Sequence, residues 1–145
     1  MTRAKGLSGR LPIGAVLTTA KVGAAMGPGS HGSTFGGNPV VCAGACAVLD
    51  TMDDDFMKNV NDRAVQLRAG LAALPHVTSV TGLGLMVGVA FEEGIQAADV
   101  RTACEHAGLL VLTAKDRLRL LPPLILTEQD VTTALNILAG VLENA

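Results

Sequence analysis

The sequence predicts a mixed α/β chain in three stretches: the edge of a larger α/β unit (1–54), a connecting helix (55–76) and a small α+β unit (77–145). Three observations carry this expectation. From Val77 onward, short apolar strand-like runs alternate with helix-period segments, the pattern of a small unit with its own sheet. Before residue 54, one strand-like run and two helical pieces flank a long glycine-rich loop, too little to make a core by themselves. The chain is also apolar for its 145 residues, at 49% hydrophobic and a mean hydropathy of +0.43. Surplus apolar surface of that kind is expected to be covered by another subunit or another part of the same protein.

The elements follow in order. Residues 11–19 (LPIGAVLTT) read as a buried strand and 20–26 as a short helical turn. The glycine-rich stretch 27–38 is a loop. Asn38-Pro39 starts a helix, since Asn38 can cap it and Pro39 suits its first position. The Ala-rich segment from Val40 to Met52 continues that helix to the break at Asp53-Asp54-Asp55. A second helix, Phe56 to Leu74, places Val60, Ala64, Leu67 and Leu71 on one face, and Pro75 stops it. Val77–Thr81 is a strand, Gly82-Leu83-Gly84 a tight turn and Leu85–Phe91 a buried strand. Ile95–Ala107 is a helix ending at Gly108. Leu109–Thr113 and Leu118–Leu121 are strands about a polar turn at Lys115-Asp116. Thr127 caps a final helix with Glu128 in its first turn, running to about Glu143.

Composition excludes several classes. The length suits one domain and leaves no room for two full ones. A net charge of −2 offers no attraction to nucleic acid or anionic lipid. No apolar run reaches the roughly 18 residues of a membrane span, and the N-terminus lacks a signal-peptide pattern, so the cytosol is the expected compartment. Cys42 and Cys46 lie one helical turn apart, but no histidine lies near enough in sequence to join them. All three cysteines, Cys104 included, therefore read as small buried apolar residues, and no metal site is expected.

Four features bear on chemistry. Lys5 stands in a small-residue turn, Lys5-Gly6-Leu7-Ser8-Gly9, where an aldehyde could approach the backbone closely; taken alone it is an ordinary lysine. The loop Gly27-Pro28-Gly29-Ser30-His31-Gly32-Ser33-Thr34 nearly fits a P-loop, but Ser33 stands where the essential lysine belongs. A nucleoside triphosphatase is thereby disfavoured. Glycine amides with the Ser33 and Thr34 hydroxyls could still cradle a phosphate ester, or the loop is an ordinary flexible turn. His31 reads as a hydrogen-bonding loop residue. The Gly82–Gly88 glycines have the wrong register for a dinucleotide site and read as a turn entering a strand. Arg119, flanked by leucines, lies either on a solvent face or aimed into a site where its fork binds a carboxylate; Arg117 shares its face. Lysine, hydroxyl-glycine loop and strand arginine together are the parts of a pyridoxal-phosphate amino-group site.

Thr2-Arg3-Ala4-Lys5-Gly6-Leu7 with Leu11-Pro12-Ile13-Gly14-Ala15 resembles the cofactor-lysine segment of the class III (subgroup II) aminotransferases. His31–Pro39, Gly82-x-Gly84-Leu85-Met86 and Leu118–Leu124 resemble three further landmarks of that family, in order, across nearly the whole chain. The nearest likeness is to members acting on acetylornithine, with those acting on ornithine and 4-aminobutyrate close by. The resemblance implies a fold-type I enzyme using pyridoxal 5'-phosphate. It would exchange the terminal amino group of an ornithine derivative with 2-oxoglutarate, a step of arginine biosynthesis. It implies that Lys5 is the cofactor lysine and carries the proton, and that Thr34 binds the cofactor phosphate in the other subunit's site of a homodimer. It also implies that Ser33 lies near the substrate and that Arg119 is a carboxylate ligand or gate. Arg3 and Thr81 depart from the pattern, standing where the family usually has a bulky apolar residue and an arginine. The matching part is the C-terminal third, and the family's pyridine-nitrogen aspartate and main phosphate turn belong upstream of it. The chain alone is therefore expected to have little or no activity. The alternatives are a non-catalytic assembly module and, more remotely, a degenerate nucleotide-binding domain.

Overall fold

The computed structural model describes residues 1–144, and they divide into two compact units, Met1–Asp54 and the residues from Asp55 onward. In the first unit, β1 (Thr2–Arg3) and β2 (Ala15–Val16) pair antiparallel, Thr2 opposite Val16 and Arg3 opposite Ala15. Leu17 N–H donates to the Met1 carbonyl at 2.8 Å, and the Met1 amino group donates to the Leu17 carbonyl at 2.6 Å. A short α1 (Ala20–Gly23) follows, then a loop, then α2 (Pro39–Asp50). Asn38 Oδ1 accepts from the Val40 and Val41 amides at 2.9 and 3.3 Å, and Pro39 occupies the first turn, where no amide is needed.

The buried strand expected over 11–19 is not there. Only Ala15 and Val16 pair, and Leu11, Val16 and Leu17 are exposed. A two-residue ribbon with one partner strand offers little cover, so Val16 stays in solvent and Ala15 is only half-buried. The cysteine expectation also needs correction: Cys104 is buried, but Cys42 is only half-buried and Cys46 is exposed, since α2 buries Val41 and Ala45 instead.

α3 (Asp54–Ala72) opens at the boundary and runs through the second unit, where its Val60, Ala64, Leu67 and Leu71 are all buried. The helix starts two residues earlier than expected and ends two short of Leu74, before His76 takes a positive φ of 63°. β3 (Val77–Leu83) and β4 (Met86–Phe91) form a hairpin whose loop is Gly84-Leu85 alone. Gly82 and Leu83, expected in the turn, are strand residues, and Gly84 supplies the positive φ (55°) that a two-residue hairpin requires at its first position. α4 (Ala97–His106) starts after Gln96, two residues later than expected. β5 (Leu112–Ala114) and β6 (Arg117–Leu120) turn about Lys115, at φ 57°; Leu109–Val111, expected in a strand, lie outside it. α5 (Glu128–Leu142) closes the unit.

The four strands form one antiparallel sheet in the order β3-β4-β6-β5. Val87, Val89, Leu118 and Leu120 alternate onto one face and meet Leu67 and Leu71 of α3, Val100 and Cys104 of α4, and Val131, Leu138 and Leu142 of α5. Three helices on one face of an antiparallel sheet make an α+β layer. The other face carries Ser79, Thr81, Gly88, Arg117 and Arg119. Among the described residues, no helix is long and apolar enough to cross a membrane.

Candidate active site

Lys5 lies on a double turn. Leu7 N–H donates to the Ala4 carbonyl at 2.8 Å and Leu11 N–H to the Ser8 carbonyl at 3.0 Å; Gly9 and Arg10 take positive φ values of 56° and 79°. Lys5 is exposed, as are Ala4 and Gly6. Residue Ser8 is buried, and its hydroxyl donates to the Val41 carbonyl of α2 at 2.7 Å. Sequence reasoning passed over Ser8; a hydroxyl in a stretch of glycines was the only hint.

The 27–38 loop is a chain of short turns, with backbone bonds from Ser30 to Gly27 (3.1 Å), Gly36 to Ser33 (3.3 Å) and Asn38 to Phe35 (3.3 Å). Ser33 and Thr34 are exposed, as is His31. A Cβ on Gly36 would lie 3.0 Å from Ser33 Cβ, so the glycine lets the Ser33 turn close. The first amides of α2 are taken by Asn38, so an anion here would depend on the loop amides and hydroxyls rather than on an open helix end. Lys5, Ser33 and Thr34 belong to the first unit; Arg119 belongs to the second.

Arg119 lies mid-β6, opposite Gly88 on one side and Leu112 on the other. It is half-buried, and its Nε is buried with no hydrogen-bond partner. Such a donor is costly to leave unmet and suits an incoming carboxylate oxygen. Arg117, on the same face, is engaged instead: its Nη1 donates to Ser79 Oγ at 3.2 Å and Thr81 Oγ1 at 3.3 Å. The departure at Thr81 therefore meets an arginine from β6. Among the described residues, no three His, Cys, Asp or Glu side chains are grouped to hold a metal.

An exposed primary amine on an anchored turn suits the aldehyde of pyridoxal phosphate, and the exposed hydroxyls and glycine amides of the 27–38 loop suit a phosphate ester. The profile of the family "Aminotransferase class-III" matches residues 1–142. The acetylornithine aminotransferase of Haemophilus ducreyi is 51% identical over 142 residues, 98% of this chain and 36% of that protein. That of Streptomyces coelicolor is 44% identical, over 100% of this chain and 37% of its own length. Among solved structures, the ornithine aminotransferase of Toxoplasma gondii superposes with a TM-score of 0.86 at 30% identity, covering 99% of this chain and 36% of that one. The acetylornithine aminotransferase of Elizabethkingia anophelis gives 0.84 at 29% identity, over 99% and 40%. The chain thus spans little more than a third of the length of its curated relatives. Matched from its first residue to its 142nd, it belongs to the class-III aminotransferases.

Proposed function

We propose that the chain is the C-terminal part of a pyridoxal-phosphate-dependent aminotransferase that moves the terminal amino group of acetylornithine to 2-oxoglutarate in the cytosol. The observation that carries the reading is the 51% identity over 142 residues to a protein named acetylornithine aminotransferase, with Lys5 exposed on a turn tied to α2. Residues 1–54 would be the edge of the large cofactor-binding domain, 55–76 a connecting helix and 77–145 the small domain.

When bound, pyridoxal phosphate supplies an aldehyde that links amines covalently and a ring that draws electrons from the carbon beside them. Lys5 Nζ would hold the cofactor between turnovers and carry the proton to and from the substrate carbon. Thr34 Oγ1 would donate to the phosphate in the partner subunit's site of a homodimer, with Ser33 beside it near the substrate. Arg119 would bind or gate a substrate carboxylate, for which its unpaired Nε–H is suited.

The test is titration of the purified chain with pyridoxal phosphate. The reading expects an absorbance band of the lysine-bound cofactor that is lost in Lys5→Ala; an identical band in both proteins would overturn Lys5 as the cofactor lysine. A second reading, a non-catalytic assembly module, is favoured by the exposure of Phe35 (79%) and Leu110 (84%). It expects no band in either protein.

A further inference from the structure

Residues 1–10 are held by little apolar burial: Leu7 is half-buried, Ser8 is buried and the rest are exposed. Among the described residues, Ser8 is the buried polar one, at 2% exposure. It stands three positions after Lys5. Its hydroxyl donates to the carbonyl of Val41, in the first turn of α2, at 2.7 Å. One turn further along, Gly44 faces the same hydroxyl. A Cβ at Gly44 would lie 2.5 Å from Ser8 Oγ and 3.0 Å from Leu11 Cδ1. The fit is therefore specific on both sides: a hydroxyl that reaches one helix carbonyl, and a residue without a side chain that lets it come so near.

The two backbone bonds of the Lys5 turn, Leu7 to Ala4 and Leu11 to Ser8, bracket this anchor. A lysine side chain has four rotatable bonds and must bring one nitrogen to one carbon. Each degree of freedom left in its backbone lowers the fraction of time it is in reach. A turn fixed to a helix removes that backbone freedom before any ligand arrives.

We propose that Ser8 is a positioning residue for Lys5, its hydroxyl bond to Val41 and its seat against Gly44 holding the turn that presents the Lys5 amine. The inference rests on the reading of Lys5 as the cofactor lysine. Removing the hydroxyl leaves the Val41 carbonyl at its place in α2, so the fold should survive. Gly44→Ala gives α2 a better helix former while pushing Ser8 off its seat.

The experiment compares the 145-residue chain with Ser8→Ala, Gly44→Ala and Lys5→Ala. Amide exchange needs no cofactor: Leu7 and Leu11 should exchange about five- to tenfold faster in both anchor variants, the factor one lost hydrogen bond allows. The amides of α2 beyond Gly44 should be unchanged. The second measurement treats each protein with pyridoxal phosphate and borohydride. A lysine nitrogen condenses with the aldehyde, water leaves, and hydride from borohydride reduces the carbon–nitrogen double bond, fixing the label for peptide mass spectrometry. In the starting chain Lys5 should label faster than the exposed Lys58 and Lys115; in both anchor variants that excess should fall several-fold. Unchanged exchange, or faster exchange with undiminished Lys5 labelling, overturns the positioning role while leaving Lys5 its own. No excess labelling of Lys5 in the starting chain overturns the reading of Lys5 itself, and the positioning role with it.

Discussion

Gly70 of α3 lies against Leu135 of α5 with no space for a Cβ between them, since the leucine Cδ1, Cδ2 and Cγ crowd the position. Alanine there gains about 1 kcal/mol of helix propensity. Overpacking costs about 1–3 kcal/mol. Gly70→Ala should therefore lose about 1 kcal/mol net in urea unfolding. In a Leu135→Ala background the clash is gone, and the same substitution should become stabilising; the difference is the coupling between the two positions.

The β3–β4 hairpin separates two kinds of glycine. Gly82 has φ 130° and a Cβ there would run into the Met86 carbonyl, which cannot move without opening the ladder. Gly84 has φ 55° and open space around it. Gly84→Ala should cost about 1 kcal/mol, the price of a left-handed alanine. Gly82→Ala should cost at least about 3 kcal/mol, because strain and backbone collision add. Thermal unfolding of both variants measures the contrast.

Asp130 closes a capping box on α5. Its carboxylate accepts from the Thr127 amide and hydroxyl, both at 2.7 Å, while Thr127 Oγ1 accepts from the Asp130 amide at 3.2 Å. The Thr127 amide bond, then the hydroxyl bond, hold the Asp130 pKa below its ordinary value of 3.8. A depressed carboxylate stabilises the fold above its unfolded pKa, and that contribution is lost as pH falls below about 4 through the folded value. Asp130→Asn should lower stability at neutral pH and flatten the acid limb. Asp62, lowered chiefly by its hydrogen bond from Lys58, leaves a residual slope of the same sign. Chemical denaturation between pH 2 and 7 checks both.

The three thiols should react unequally. Burial removes Cys104 from solvent and raises its pKa above the ordinary 9.0, so little thiolate is available. Cys46 is exposed and Cys42 half-buried. A thiol reagent at neutral pH should label Cys46 first and Cys104 only in denaturant; prompt labelling of all three in the folded chain would contradict the packing of α4.

Where local chemistry decides, the sequence was legible. Asn38 and Pro39 start α2 because a side-chain acceptor and a missing amide suit a helix end wherever it lies. The spacing of Val60, Ala64, Leu67 and Leu71 foretold one buried face of α3 because 3.6 residues make a turn in any context. The run 11–19 misled because apolarity reports a wish for burial without saying whether a partner strand is present. Cys46 misled for the same reason, lying on the uncovered side of a helix whose sequence is small and apolar all round.

By itself, then, the sequence determined the order of helices and strands from α1 onward, the landmarks around Lys5, Ser33-Thr34 and Arg119, and the family they mark; the β1–β2 pairing lay outside it. Only the tertiary structure decided that Ser8 is buried against Val41 and Gly44, that Arg117 is spent on Ser79 and Thr81, and that Arg119 Nε is unpaired. The first set rests on contacts within a few residues, which spacing encodes. The second rests on which groups meet across tens of residues, where one hydrogen bond or one missing Cβ selects the partner and no periodicity announces it.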